Sequence, residues 1–199
     1  MAQFLAGAAG SYVRGRETSI SSPRDAIRMG IGFLPEDRVR DGLFVRLSVL
    51  VNITMMVLPR FARFGILRWK HPRALASSKV SELSIRTSGL DAKVGVLSGG
   101  NQQKTLFARW LCAGPSILLL EEPTAGMDVD AKQEILRITR DLVNRGVAVL
   151  MASSDVDEIL RLCDRTVALG DGGSSRVIEV DEKARPLLIA AMAGIDQTQ

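Results

Sequence analysis

Leu97-Ser98-Gly99-Gly100-Asn101-Gln102-Gln103-Lys104, followed further on by Ile117-Leu118-Leu119-Leu120 and Glu121-Glu122-Pro123-Thr124, decides how this chain is read. A serine and two glycines ahead of the helix-forming residues 101–113 make a helix start whose first N–H groups lack intrahelical partners. The helix dipole is positive there, so such an end attracts phosphate. A short aliphatic strand ending in paired carboxylates is the complementary part, since a carboxylate at that place can hold Mg²⁺ or a water beside the phosphate. Taken singly, Ser-Gly-Gly reads as a flexible turn, and an apolar run before Glu-Glu as a buried strand reaching a solvated end. Separated only by one helix and the breaker Gly114-Pro115, the two together read as a phosphate-handling unit.

At 199 residues, 46% of them hydrophobic, the chain suits one domain with a real core. The longest apolar stretches, 147–152 and 187–193, fall well short of the roughly 18–20 residues that span a bilayer. Residues 3–10 form an apolar patch without a basic leader, so no signal peptide is expected and the cytosol is. Cys112 and Cys163 have no metal or redox spacing and are expected as buried, reduced thiols. Met29, Met55, Met56, Met151 and Met192 are expected as core filler, and His71, without a second ligand nearby, is assigned no chemistry. The net charge of +4 is unevenly placed: most of the basic excess precedes residue 75, and acidic residues slightly outnumber basic ones afterwards. With aromatics at 5% and no nucleic-acid motif, the basic region implies a solvated face near a membrane protein rather than nucleic-acid binding.

Along the chain, Ser22-Pro23 reads as an N-cap with proline at the first helical position, opening a helix over 24–29. A buried strand is expected at 31–34, a polar loop at 35–43, helices from 48 onward and over 72–85, and the strand 117–120. Beyond it come a helix over 129–144 stopped by Arg145-Gly146, a strand at 147–152, a helix at 155–162 and a strand at 166–169. A turn at 171–173, an edge strand at 177–180 and a helix over 181–193 complete the order. Strands alternating with helices predict an α/β fold with a mostly parallel sheet and flanking helices.

These motifs resemble the nucleotide-binding domain of an ABC transporter. LSGGNQQK is similar to the ABC signature, and ILLLEEPTAGMD to a Walker B strand with its D-loop. The Asn-Gln-Gln-Lys ending and the segment GIGFLPEDRVRDGL (residues 30–43) resemble the second ATP-binding domain of the ribose, xylose and galactose importers. The resemblance implies a partial P-loop NTPase fold over 1–199: core and Q-loop region at 1–46, a helical signature subdomain at 47–114, core with Walker B, D-loop and switch region at 115–180, and a C-terminal helix at 181–199. It implies ATP and Mg²⁺ as cofactors. Glu122 would polarise the attacking water and Glu121 would stand at the metal position. Ser98, Gly99, Gly100 and Gln102 would meet nucleotide through the signature, with Glu36 at the Q-loop place, Asp128 as D-loop contact and Ser154 at the switch. The implied partners are a second ABC ATPase domain, membrane-spanning permease subunits and, indirectly, a substrate-binding protein, at the cytoplasmic face of the membrane.

The family's phosphate cradle, G-x-x-x-x-G-K-[ST], does not occur in these residues. By resemblance the chain begins just after the helix that follows that loop, so Met1 is expected to be an internal or truncated start. Glu121 replaces the usual Mg²⁺-linked Asp, which moves the carboxylate by about 1.5 Å against an ion demanding near-ideal geometry. Serine at 154 replaces a histidine. The implied function is an ATP-binding subunit of a sugar importer. The alternative is a non-catalytic half-site that packs against a partner through its intact signature. A central P-loop strand belongs to the family's sheet, so strands 117–120 and 147–152 are both expected to have an unpartnered edge.

Overall fold

The computed structural model describes residues 11–193 apart from 14, 64, 65, 68, 171, 172, 175 and 176. The apolar patch at 3–10 and most of the turn at 171–173 therefore lie outside the described residues. Strands β1 (Ser11–Val13) and β2 (Arg16–Thr18) form an antiparallel hairpin. Helix α1 (Pro23–Arg28) follows, with the Ser22 hydroxyl accepting the Asp25 N–H at 3.2 Å and proline in the first turn, where its missing N–H costs nothing. Gly30 ends this segment at φ +76°, and an added Cβ would meet the Ser116 hydroxyl at 2.8 Å, so only glycine fits this corner.

Next come β3 (Ile31–Leu34) and a wide turn, Arg38–Gly42, in which the Leu43 N–H reaches the Arg38 carbonyl five residues back at 2.7 Å. Helix α2 (Val49–Thr54) is capped by Ser48. A tight turn (Leu58–Phe61) and the hairpin β4 (Ala62–Arg63) with β5 (Ile66–Leu67) lead to α3 (Lys70–Glu82). The sequence places that helix at 72–85. It starts earlier because Pro72 is tolerated in the first turn, and it ends earlier because Ser84 takes a left-handed φ of +49°.

Helix α4 (Gly99–Ala113), β6 (Ile117–Glu121), α5 (Val129–Asn144), β7 (Ala148–Ala152) and α6 (Val156–Leu162) carry the motif residues. The expected single strand at 166–169 is instead two short pieces. Strand β8 (Arg165–Thr166) pairs antiparallel with β11 (Ile178–Glu179), whereas β9 (Leu169–Gly170) pairs antiparallel with β10 (Gly173–Ser174). Helix α7 (Ala184–Met192) closes the described chain.

The central sheet is parallel, in the order β3-β6-β7, with Ile31 opposite Ile117 and Ile117 opposite Ala148. One face carries Leu34, Leu118 and Leu120, buried under α4 and α5 through Leu106, Phe107, Ile135 and Ile138. The same core continues without a break into α2 and α3 through Val49, Ile53, Ala76 and Leu83. Helices α2, α3 and α4 thus share one apolar body with the sheet. The cysteines are half-buried rather than buried, and both are free. Burial still pushes the Cys112 thiol up to about 11, which makes it a poor nucleophile. Met55 and Met56 are half-buried, but Met192 is 43% exposed and fills no core.

The edge expectation needs correction. β6 lies between β3 and β7 and is paired on both sides, so of the two expected strands only β7 keeps an open edge among the described residues, as β3 does at the other end of the sheet. Leu150 on β7 is 68% exposed and shares a face with Phe33 and Leu119. An open strand edge beside bare apolar side chains is a template for pairing between chains. The 199-residue chain is expected to self-associate, and Leu150→Lys to shift sedimentation velocity toward monomer. Wild type that stays monomeric at every concentration, or Leu150→Lys that associates equally, would contradict this reading.

Candidate functional site

Ser98 is the N-cap residue of α4, but its hydroxyl does not cap the helix: it accepts the Asn101 side-chain amide at 2.9 Å. The amides at the start of a 15-residue helix are therefore left without a side-chain acceptor. The two glycines have separate steric causes. A Cβ on Gly99 would meet Arg38 Nη2 at 2.6 Å, and one on Gly100 would meet the Ala131 Cβ at 2.9 Å. The first brings the wide turn's guanidinium onto the helix start. The second lets α4 press against the first turn of α5.

Arg38 also donates through Nη1 to the Ala125 carbonyl at 3.3 Å, and its Nε is buried without a partner. One side chain thus ties residues 36–38, the signature and the 125–128 loop together. Asp128, in that loop, caps α5: its Oδ1 accepts the Ala131 N–H at 2.8 Å. Gln102 turns inward, buried, with its amide donating to the Val94 carbonyl at 3.4 Å. Glu36 is exposed at the entrance to the wide turn.

A second cluster stands at the carboxyl ends of β6 and β7, where a parallel sheet presents its ligand-facing loops. Glu122 has φ +41°, a left-handed conformation rare for a side-chain-bearing residue. Its amide donates to the Ala152 carbonyl at 2.9 Å, and its Oε1 accepts the Ser154 N–H at 2.6 Å. The structure therefore brings Glu122 and Ser154 into direct contact. Glu121, paired with Ala152, is the last residue of β6. No group of three His, Cys, Asp or Glu side chains that could cage a metal occurs among the described residues.

Three polar anchors escape a reading by sequence alone. Glu158, on α6 and buried, accepts from Thr124 Oγ1, from Ser153 Oγ at 2.9 Å and from Lys132 Nζ at 3.1 Å. It fastens the turn after β6 to the loop after β7. Lys132 also meets Asp155 at 2.5 Å, and that ammonium is the main reason the Asp155 carboxyl lies below its ordinary range. The spacing Asp155-x-x-Glu158, a capping-box pattern, was the available signal; Asp155 does cap, but the Glu158 side chain goes elsewhere. Arg38 and Arg109 are the other two. Arg109, buried on α4, donates to the Asn52 carbonyl at 2.7 Å, the Gly42 carbonyl at 2.6 Å and Asn52 Oδ1 at 2.8 Å.

The sequence pattern described as ABC transporter matches residues 1–125. A ribose import ATP-binding protein, RbsA 2 of Escherichia coli O157:H7, is 46% identical over 160 residues, 80% of this chain and 32% of that protein. The ribose import ATP-binding protein RbsA of Chelativorans sp. (strain BNC1) is 38% identical over 188 residues, 94% of this chain and 37% of that protein. The chain thus spans about a third of the length of the curated relatives it matches. Among solved structures, a nucleotide-free ATP-binding cassette from an ABC transporter superposes with a TM-score of 0.76 at 17% identity, covering 94% of this chain and 76% of that one. A cassette solved as a dimer in a post-hydrolysis state with ADP and phosphate gives 0.68 at 22%, covering 85% and 72%. The structural likenesses show the fold, and the match over residues 1–125 shows more: this chain belongs to the ABC transporter family.

Proposed function

We propose that this chain is part of the ATP-binding subunit of an ABC-type sugar importer, and that its working surface is the signature end of α4. The observation that carries the proposal is the uncapped start of α4, held beside the 125–128 loop by Arg38. In this reading Ser98 and the amides of Gly99 and Gly100 receive the terminal phosphate of ATP bound by a second ABC ATPase domain. Gln102 supports that helix turn from inside, and Asp128 sits at the domain contact. At the other cluster Glu122 orients water, and the Ser154 N–H fixes its carboxylate. Glu36 takes the place of the family's Q-loop residue.

Mg²⁺ commonly takes one or two carboxylates and completes its shell with phosphate oxygens and water, so a lone strand-end carboxylate suits it. Glu121 is that carboxylate here, one methylene longer than the family's Asp, a reach that water in the ion's shell would have to accommodate; bound there, the ion would neutralise phosphate charge. The further partners are membrane-spanning permease subunits and, through them, a substrate-binding protein, at the cytoplasmic face. Residues 47–114 serve as the signature subdomain within the shared core. No helix among the described residues is long and apolar enough to cross a membrane, which suits a peripheral place.

One observation favours the second reading, a non-catalytic half-site: G-x-x-x-x-G-K-[ST] does not occur in the 199 residues. Phosphate release distinguishes the two. The 199-residue chain with Mg²⁺ and ATP is expected to release none above buffer. Mixed with a P-loop-bearing domain of the same importer family, it is expected to raise that domain's turnover. Turnover by the chain alone that Glu122→Gln abolishes would reject the half-site reading; a mixture no faster than its P-loop domain would reject the working surface.

A further inference from the structure

Between Asp41 and Glu82 the chain has no acidic residue, while it carries Arg46, Arg60, Arg63, Arg68, Lys70, Arg73 and Lys79. These seven exceed the net +4 of the whole chain, so the rest of the molecule is net negative. Among the described residues, Arg60, Lys70 and Arg73 meet at one corner of the fold. The Leu58–Phe61 turn packs against α3 and β5, and the Phe61 ring stacks on His71 with centroids 6.4 Å apart. That contact sets Arg60 beside the first turn of α3, where Lys70, His71 and Arg73 are all exposed.

Cations at the positive end of a helix dipole repel it, and this first turn contains no acidic residue and no side-chain cap. Only Arg73 is answered, by a bidentate pair with Asp91 at 2.8 Å. Arg60 and Lys70 have no acidic partner among the described residues. Trp69, the residue immediately before the helix, is 44% exposed. Next to it in sequence lies the β4–β5 hairpin, with Ala62 opposite Leu67 and Arg63 opposite Ile66.

We propose that this corner, formed by Arg60, Trp69, Lys70 and Arg73, is a membrane-surface contact in which its cations meet anionic phospholipid headgroups and Trp69 enters the headgroup layer. Arginine and lysine interleaved with tryptophan and aliphatic residues is the chemistry of the lipid interface. Nucleic acid fits less well, because single-strand platforms stack successive bases on several aromatic faces, and with Phe61 stacked on His71 only Trp69 is free among the corner's described residues. The proposal does not rest on the nucleotide reading, since it is tested without ATP.

The test is binding of the full chain to phosphatidylcholine vesicles with and without phosphatidylglycerol, read by tryptophan fluorescence. Trp110 is partly buried and donates its Nε1–H to the Phe33 carbonyl at 2.8 Å, so a Trp110→Phe background isolates Trp69, and the wild type is run in parallel. Anionic vesicles are expected to shift Trp69 emission to the blue and neutral vesicles to leave it unchanged. Arg60→Glu with Lys70→Glu is expected to weaken binding about 10-fold or more, each basic residue near an anionic surface contributing on the order of 1 kcal/mol. Trp69→Ala, which removes the reporter and is therefore read by co-sedimentation with the same vesicles, should weaken binding less while keeping its salt dependence. Equal binding to neutral vesicles, or full binding by the charge-reversed variant, would overturn the proposal. So would duplex DNA bound as tightly as anionic vesicles, with Trp69 emission unmoved by either.

Discussion

Arg109→Ala is expected to destabilise the chain by about 3 kcal/mol or more, because hydrogen bonds from a charged donor contribute roughly 1.5–3 kcal/mol each and three are lost together. Its guanidinium lies at 6% exposure with no carboxylate beside it, satisfied by the carbonyls of Gly42 and Asn52 and by Asn52 Oδ1. Burial pulls its pKa down to about 10, which still leaves it charged at neutral pH. Alanine would leave three acceptors facing a void. The desolvation recovered from the guanidinium offsets only part of that. Arg109→Lys should lose most of the same energy, since one ammonium cannot reach acceptors on two separate segments. Urea unfolding at low protein concentration measures this, and a loss under about 1 kcal/mol for alanine would contradict the assigned role. The consequence extends beyond stability: Arg109 ties the signature helix to the end of the Arg38–Gly42 turn, so the variant should also loosen Arg38 from Gly99.

Legibility in the sequence followed the locality of the cause. Helix α5 lies at Val129–Asn144, as read, because Asp128 caps one end and Gly146, at φ +86°, stops the other within a few residues. Strand β3 matches equally well between Gly30 and Pro35. Strand 166–169 did not, because the length of a short strand is set by the partner it finds, and apolar alternation says nothing of that; the edge strand expected at 177–180 is there, shortened to Ile178–Glu179. The order β3-β6-β7 likewise needed the structure, which pairs β6 on both sides and leaves the open edges to β3 and β7.

At the site, the sequence shows the residues with unmistakable local chemistry: Ser98, Gly99, Gly100, Glu121 and Glu122. It does not show which polar groups hold them. A buried Glu158 or Arg109, or a half-buried Arg38, looks in sequence like any surface charge. Spacing does not help either: residues 102–109 of α4 are all buried, so no amphipathic stripe singles out Arg109.

Ser98→Arg is expected to remove the chain's effect on a P-loop-bearing partner while leaving the fold intact. The Ser98 hydroxyl makes no cap bond to the backbone, so little helix stability is lost with it. A long cation at that position would stand in front of the Gly99 and Gly100 amides, beside the guanidinium of Arg38, and fill the place of an incoming phosphate. Loss of stimulation by about 10-fold or more corresponds to roughly 1.4 kcal/mol of phosphate interaction, a modest demand on charge-assisted bonds to amides. Glu121→Ala should matter much less, because Glu121 belongs to the other cluster, for which these 199 residues contain no G-x-x-x-x-G-K-[ST] cradle. The deciding measurement is phosphate release by a fixed amount of P-loop domain titrated with wild type, Ser98→Arg and Glu121→Ala. Stimulation by wild type and Glu121→Ala but not by Ser98→Arg is expected; equal stimulation by wild type and Ser98→Arg, or loss only with Glu121→Ala, would contradict the signature as the working surface.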